Sequence, residues 1–279
     1  MAFNREKVLA EAQKYIEKRK YDKAIVELRR VMEADPNDSR SLHKIGELQA
    51  KLGQFAEAID TYEGVGRLYQ HGGFAQRAVA VYQQIRDILR AHPQLEPRYG
   101  HIAPKLVDLY RELGLTSDAL VLLNELATNY QRQQREPEAL EAYRKLAEID
   151  HANPLAHLRV AEALSRARDI DGAVGAFQTA ARQLIEMERR DDAIQVLERL
   201  LHHRPDPEAA RTCAELYLAR QRPPHDGMHA LSKLQICYQA NPRDVSVLSL
   251  LATAFELIGQ RDKALNIHRE IARLSGGRG

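Results

Sequence analysis

A small residue recurs along this 279-residue chain at steps that an ordinary globular core would not impose. Within the phrase aromatic–x–x–Ala–apolar–x–x–aromatic or Leu, alanines fall at Ala24, Ala58, Ala78, Ala119, Ala139, Ala173, Ala193, Ala230 and Ala264. The successive steps are 34, 20, 41, 20, 34, 20, 37 and 34 residues. About twelve residues before most of them stands a second small residue: Ala12, Gly46, Gly66, Ala127, Ala161, Ala181 or Ala252. Repetition at this range of periods marks stacked supersecondary units. Paired small residues let two helices approach closely while larger neighbours, here Tyr15 or Leu28, interdigitate.

Composition agrees. Glu, Ala, Leu, Arg and Gln are abundant, Trp is absent, and Gly and Pro are sparse, which favours helix almost throughout. Forty-one basic residues balance 39 acidic ones, leaving no net field that would argue for DNA or a membrane surface. No segment approaches 18 uninterrupted apolar residues and the N-terminus has no apolar stretch, so a cytoplasmic location is expected. Cys213 and Cys237 lie in helical patterns without metal-type spacing and read as reduced intracellular thiols.

"SLHKIGELQAKLGQFAEAIDTY" places Leu42, Ile45, Gly46, Gly53, Phe55, Ala58 and Tyr62 at the spacing of a helix–turn–helix repeat. "VLSLLATAFELIGQRDKALNIH" repeats it through Leu248, Leu251, Ala252, Phe255, Gly259 and Ala264. Pro36, Pro205 and Pro242 stand twelve residues after their alanines. The chain resembles the tetratricopeptide repeat (TPR) family, whose 34-residue unit is a helix–turn–helix closed by such a proline. Departures are the missing first-helix Trp, Val107 in place of a small residue, and insertions near His92–Arg98 and Arg222–Gly227.

The 20-residue steps are short by about one helix. A single helix near Phe55–Tyr69 must therefore close one repeat through Ala58 and Tyr62 and open the next through Val65 and Gly66. Ala119 with Ala127, and Ala173 with Ala181, repeat the overlap. The expected fold is all-α: an alpha-alpha superhelix (TPR solenoid) of about 15 antiparallel helices, with three-helix units wherever a helix is shared. Its array spans residues 1–275, in units 5–38, 39–97, 98–153, 154–206, 207–243 and 244–275, and a flexible tail covers 276–279.

Chemistry is sparse. His225 and His229 are four apart, yet Pro223, Pro224 and Gly227 put His225 in a loop and no third metal ligand has suitable spacing. His202 and His203 suit a helix C-terminus. "EGVGRL" lacks a preceding strand and a phosphate-loop lysine. Asp191-Asp192 reads as a helix-start pair capping amides. No catalytic residue, metal or cofactor is assigned, and the expectation is a protein that is not an enzyme.

Partner contacts are expected on first helices, at positions left free by the inward stripe. These are Arg40, His43, Lys44, Glu47 and Lys51, then Lys105, Asp108 and Arg111, then Arg159, Glu162 and Arg166. Basic groups interspersed with carboxylates suit a protein or peptide, including one with an acidic segment. Some TPR proteins hold a chaperone's acidic C-terminus through a Lys/Asn clamp, but Gln13 and Glu47 occupy the corresponding places here. A second stripe, Val247, Leu250, Ala254 and Leu257, is expected to stand uncovered at the C-terminal flank and to meet a partner, another copy or further repeats. The resemblance implies a protein-binding scaffold or adaptor. Bacterial members often serve motility, polarity, secretion or signalling assemblies. RNA binding by a helical-repeat array, and a regulatory receptor for a peptide or small effector, are the alternatives.

Overall fold

The computed structural model describes residues 4–276, and among them the chain forms sixteen α-helices and one 3₁₀ turn, with no strand. It divides into two units, residues 1–122 and 123–279. The first holds α1 (Arg5–Glu17), α2 (Tyr21–Ala34), α3 (Ser39–Lys51), α4 (Phe55–His71), α5 (Ala75–Ala91), α6 (Glu96–Tyr99) and α7 (Ile102–Glu112). The division falls within α8 (Thr116–Arg132). The second holds α9 (Glu136–Ile149), α10 (Pro154–Arg166), α11 (Ile170–Glu186), α12 (Arg190–His203), α13 (Pro207–Arg220), α14 (His225–Ala240), α15 (Val245–Leu257) and α16 (Arg261–Gly276). About fifteen helices were expected; the additional one is the four-residue α6. Of the expected tail, 276–279, Gly276 ends α16 and the rest lies outside the described residues.

The recurring alanines are the helix crossings. All nine, from Ala24 to Ala264, are at most 2% exposed, as are Ala12, Ala127, Ala161, Ala181 and Ala252. A large side chain sixteen residues after the first small residue packs into the same crossing: Leu28, Tyr62, Tyr82, Tyr143, Phe177 and Leu197 are all buried. A Cβ on Gly46 would lie 2.8 Å from the Tyr62 ring, so glycine is what permits that approach.

Seven residues after each small residue the chain turns. Arg19, Gly53, Gly73, Gly114, Gln134, Arg168, Glu188 and Gly259 all have positive φ. The amide of the next residue donates back to a carbonyl five positions earlier, as in Lys20 to Tyr15 (2.8 Å), Gln54 to Gln49 (2.9 Å), Arg135 to Tyr130 (2.9 Å) and Gln260 to Phe255 (2.8 Å). This is the Schellman ending, in which a left-handed residue satisfies carbonyls that the helix terminus leaves free. Val107, the expected weak point, keeps the register: it is fully buried and Gly114 follows seven residues later.

The shared helices are long. α4, α8 and α11 each have 17 residues, as does α5, against 13 or 14 for α2, α3, α9, α10 and α12. α4 packs on α3 and α5, and α11 on α10 and α12. The second crossing residue, Gly66 or Ala181, is the twelfth residue of its helix.

Two places break the pattern. After α5, His92 stacks on Phe55 (centroids 3.8 Å apart) and α6 delivers Tyr99, whose hydroxyl donates to Ala56 O (3.0 Å) and Asp60 (2.8 Å). The insertion is thereby tied to the start of α4. Between α13 and α14, Arg220 binds the buried Asp226 through Nε (3.0 Å) and Asp191 through Nη1 (2.7 Å), while the Arg222 amide donates to Asp226 (2.9 Å). Asp191 therefore pairs with arginine and does not cap amides as expected. His225 likewise opens α14 and does not lie in a loop.

Candidate partner-binding groove

Helices α10, α11 and α12 enclose an open trench of about 660 Å³ in the second unit. Its lining includes Glu162, Ser165 and Arg166 from α10, Phe177 from α11, and Gln195, Glu198, Arg199, His202 and His203 from α12. α10 starts sharply because Asn153 accepts a hydrogen bond from the Leu155 amide (3.0 Å) and Pro154 occupies the first helical turn. That start sets the phase that turns Ala161 toward the crossing and Glu162 toward the trench.

Phe177 is buried, and the His203 ring stacks on it with centroids 5.7 Å apart. His203 Nε2 lies 3.1 Å from Ser165 Oγ. Arg199 donates to Glu162 (2.6 Å), and Arg166 reaches Glu136 of α9 (3.2 Å). Glu198 accepts from the Tyr217 hydroxyl (2.8 Å) and pairs with Lys233 (3.3 Å). Burial pushes its carboxyl up, but the Tyr217 hydrogen bond and the Lys233 charge outweigh that and hold it below the usual glutamate range. The trench thus presents an aromatic wall beneath a half-exposed layer of paired charges. Such a layer can exchange its internal ion pairs for contacts to a polar chain.

Of the eleven first-helix residues expected to meet a partner, Glu162 and Arg166 line this trench. Arg159, on the same helix, donates to Asn124 (3.2 Å) and lies over the Tyr143 ring, outside the lining. In the first unit, Lys44 binds Glu47 (2.7 Å) and His43 bridges Gln84 (3.0 Å) and Glu47 (3.4 Å). Lys51 lies over the Tyr21 ring, and Arg40, Asp108 and Arg111 are exposed. Lys105 lies over the Tyr82 ring and joins His101 and Arg67 around Glu63. Burial raises the Glu63 carboxyl, but the His101 hydrogen bond and the neighbouring Arg67 and Lys105 charges hold it below its ordinary range.

The C-terminal flank is corrected. Val247 and Ala254 are buried and Leu250 and Leu257 half-buried. α13 and α14 pack on α15, and Gly227 lets α14 come so near that an added Cβ would stand 3.1 Å from Ala254 O and 3.4 Å from Leu257 Cβ. Val247 and Ala254 are thus covered by the chain's own helices, while Leu250 and Leu257 keep part of their surface exposed.

Sequence reasoning missed the α12 wall. Its signal was present in the register. Arg199 stands eighteen residues after Ala181, as Gln84 does after Gly66, and each reaches back to the preceding first helix, to Glu162 and His43.

Among the described residues no helix is long and apolar enough to cross a membrane, and no cluster of three metal-ligating side chains occurs. Residues 9–72 match the family model described as tetratricopeptide repeat. No curated protein matches the chain. Solved structures that resemble it include MamA residues 41-end from Desulfovibrio magneticus RS-1, at 15% identity over 57% of this chain and 96% of that one, with a TM-score of 0.32. The P58(IPK) TPR domain aligns at 12% identity over 96% of this chain and 92% of that one, with a TM-score of 0.27. YrrB, described as a TPR protein with an unusual peptide-binding site, aligns at 12% identity over 90% and 93%, with a TM-score of 0.32. Repeats of this kind are in general protein-interaction scaffolds. Residues 9–72 are thus matched as tetratricopeptide repeat, and the same register of crossings and turns recurs along the described residues beyond them.

Proposed function

We propose that the chain is a non-enzymatic adaptor that holds a segment of a partner protein, one carrying acidic residues, in the trench between α10 and α12. The single observation behind this reading is the trench itself. It combines an aromatic wall, Phe177 with His203, and two arginines, Arg166 and Arg199, whose carboxylate partners sit beside them on neighbouring helices. An incoming carboxylate can take over an arginine at little cost, because exposed ion pairs are worth only about 0–1 kcal/mol each. Recognition is then set by the half-buried His203 ring, held in place by buried Phe177, and by the order of charges along the segment. The polar first-helix positions of the first unit, among them Arg40, Lys44 and Arg111, offer a comparable surface for a second stretch of a partner.

The test is affinity capture from the native lysate on immobilised wild-type chain and on an Arg166→Glu/Arg199→Glu variant, followed by calorimetry with the purified captured protein. The expected result is a partner whose affinity falls at least tenfold on the variant and falls with added salt. A captured partner that binds both chains equally would remove the trench as its site.

A further inference from the structure

We propose that a second docking groove, formed by α14, α15 and α16, takes an amphipathic partner helix with carboxylates along one edge. The groove has a volume of about 530 Å³ and is open along its length. Leu231, Gln235 and Tyr238 form its α14 wall, Leu248, Leu251 and Phe255 its floor, and Asn266, Ile267 and Glu270 its α16 wall. Leu248 is buried, whereas Tyr238 is 44% exposed and Leu251, Phe255 and Ile267 are half-exposed. Lining residues on α14 and α15 span seven positions each, so the apolar floor runs for about 10 Å, two turns of an accompanying helix. A trench of that form is read by residues at i, i+3, i+4 and i+7 of an amphipathic helix.

Charge selects the kind of helix. The α14 wall carries no ionised side chain. On the α16 side, Lys263 Nζ lies 5.4 Å over the Phe255 ring, Arg269 donates to Asn266 (3.4 Å), and Arg273 binds Glu270 (2.6 Å). Three cations thus border this edge against one lining carboxylate, while His268 and Glu256 pair with each other (3.2 Å). A helix lying in the groove with its apolar seam down brings its α16-side flank onto Lys263 and Arg269, and carboxylates there satisfy both. This site shares no lining residue with the α10–α12 trench.

The probe is a fluorescein-labelled 18-residue helical peptide with Leu and Phe on an i, i+3, i+4, i+7 seam and Glu along one flank. Its control carries Lys in place of Glu. In anisotropy titrations of the full chain the Glu probe is expected to bind at least tenfold more tightly than the Lys probe. Lys263→Glu/Arg269→Glu, two surface changes that leave the fold intact, should erase or reverse that preference. Leu251→Asp should abolish binding at an unchanged circular dichroism spectrum, and Arg166→Glu/Arg199→Glu should leave it unaltered. Absence of binding by the Glu probe, or equal binding of both probes, would overturn the proposal. So would a wild-type dimer in light scattering that Leu251→Asp disperses, because a second copy would then be the occupant.

Discussion

The Tyr82 ring lies so close over Gly66 that a Cβ added to the glycine would stand 2.8 Å from ring carbons. Tyr82 is fully buried and its hydroxyl donates to Gln70 (3.2 Å), so the ring has no free direction in which to withdraw. Gly66→Ala is therefore expected to lower stability by about 1–3 kcal/mol through overpacking, although alanine is the better helix former. Gly175 is the control: it is also within a helix, but nothing lies within 4 Å of an added Cβ. Gly175→Ala should raise stability by up to about 1 kcal/mol. Urea titrations of the two variants decide the matter, and equal effects would remove the close crossing from the account of the shared helix.

The turns supply an independent check on the register. Gly114 has φ +69° and open space around it, so Gly114→Ala tests conformation alone. It should cost about 1 kcal/mol, the steric price of a left-handed L-residue. Arg168 holds the equivalent place with φ 64°. Arg168→Gly should gain about 0.5 kcal/mol, the strain relieved exceeding the entropy added to the unfolded chain. A loss of 1 kcal/mol at Arg168 in thermal melts would contradict the equivalence of the two turns.

This contrast also shows what was readable in advance. Gly53, Gly73, Gly114 and Gly259 advertise left-handed turns, whereas Arg19, Gln134, Arg168 and Glu188 adopt the same conformation without any local mark. Crossings were readable because tight packing leaves only small residues a place, so Ala173 and Ala181 betray α11 and its dual use. The trench was half readable. Glu162 follows from its phase relative to Ala161, but Arg199 and His203 come from a helix whose approach depends on three dimensions. The covered stripe at Val247 and Ala254 was misread for a related reason. Its cover, α14, follows an irregular link, and Gly227 looks like a loop residue until α14 is seen to begin before it.

One hydroxyl helps to anchor the insertion after α5, beside the His92–Phe55 stack and the Arg98–Asp60 pair (2.9 Å). The single Tyr99 hydroxyl proton is shared between Ala56 O and Asp60 while its ring is buried. Tyr99→Phe keeps the ring and removes only these bonds, so a loss of about 1–2 kcal/mol is expected. Tyr99→Ala adds a cavity and should cost about 3–5 kcal/mol. Hydrogen exchange should rise in residues 93–101 for Tyr99→Phe, and unchanged protection there would show that the His92–Phe55 stack and the Arg98–Asp60 and His101–Glu63 contacts hold the insertion without the hydroxyl.

Asp226 carries a pH signature of its own. The Arg220 hydrogen bonds hold its carboxyl below the usual aspartate range despite burial, with the Arg222 amide adding to the effect. A carboxylate whose folded pKa is depressed contributes stability that is fully present above its unfolded pKa, about 3.9, and is lost as pH falls through the lower folded value. Asp226→Asn leaves the Arg220 guanidinium short of a buried partner and should cost about 3 kcal/mol at pH 7. The gap between wild type and variant should then narrow as the medium is taken below pH 4, because protonation removes from the wild type what the substitution already removed. Urea midpoints measured at pH 7, 4 and 3 check this. A gap that stays constant on acidification would mean that Asp226 acts through shape and neutral hydrogen bonds, with its charge contributing nothing to the α13–α14 link.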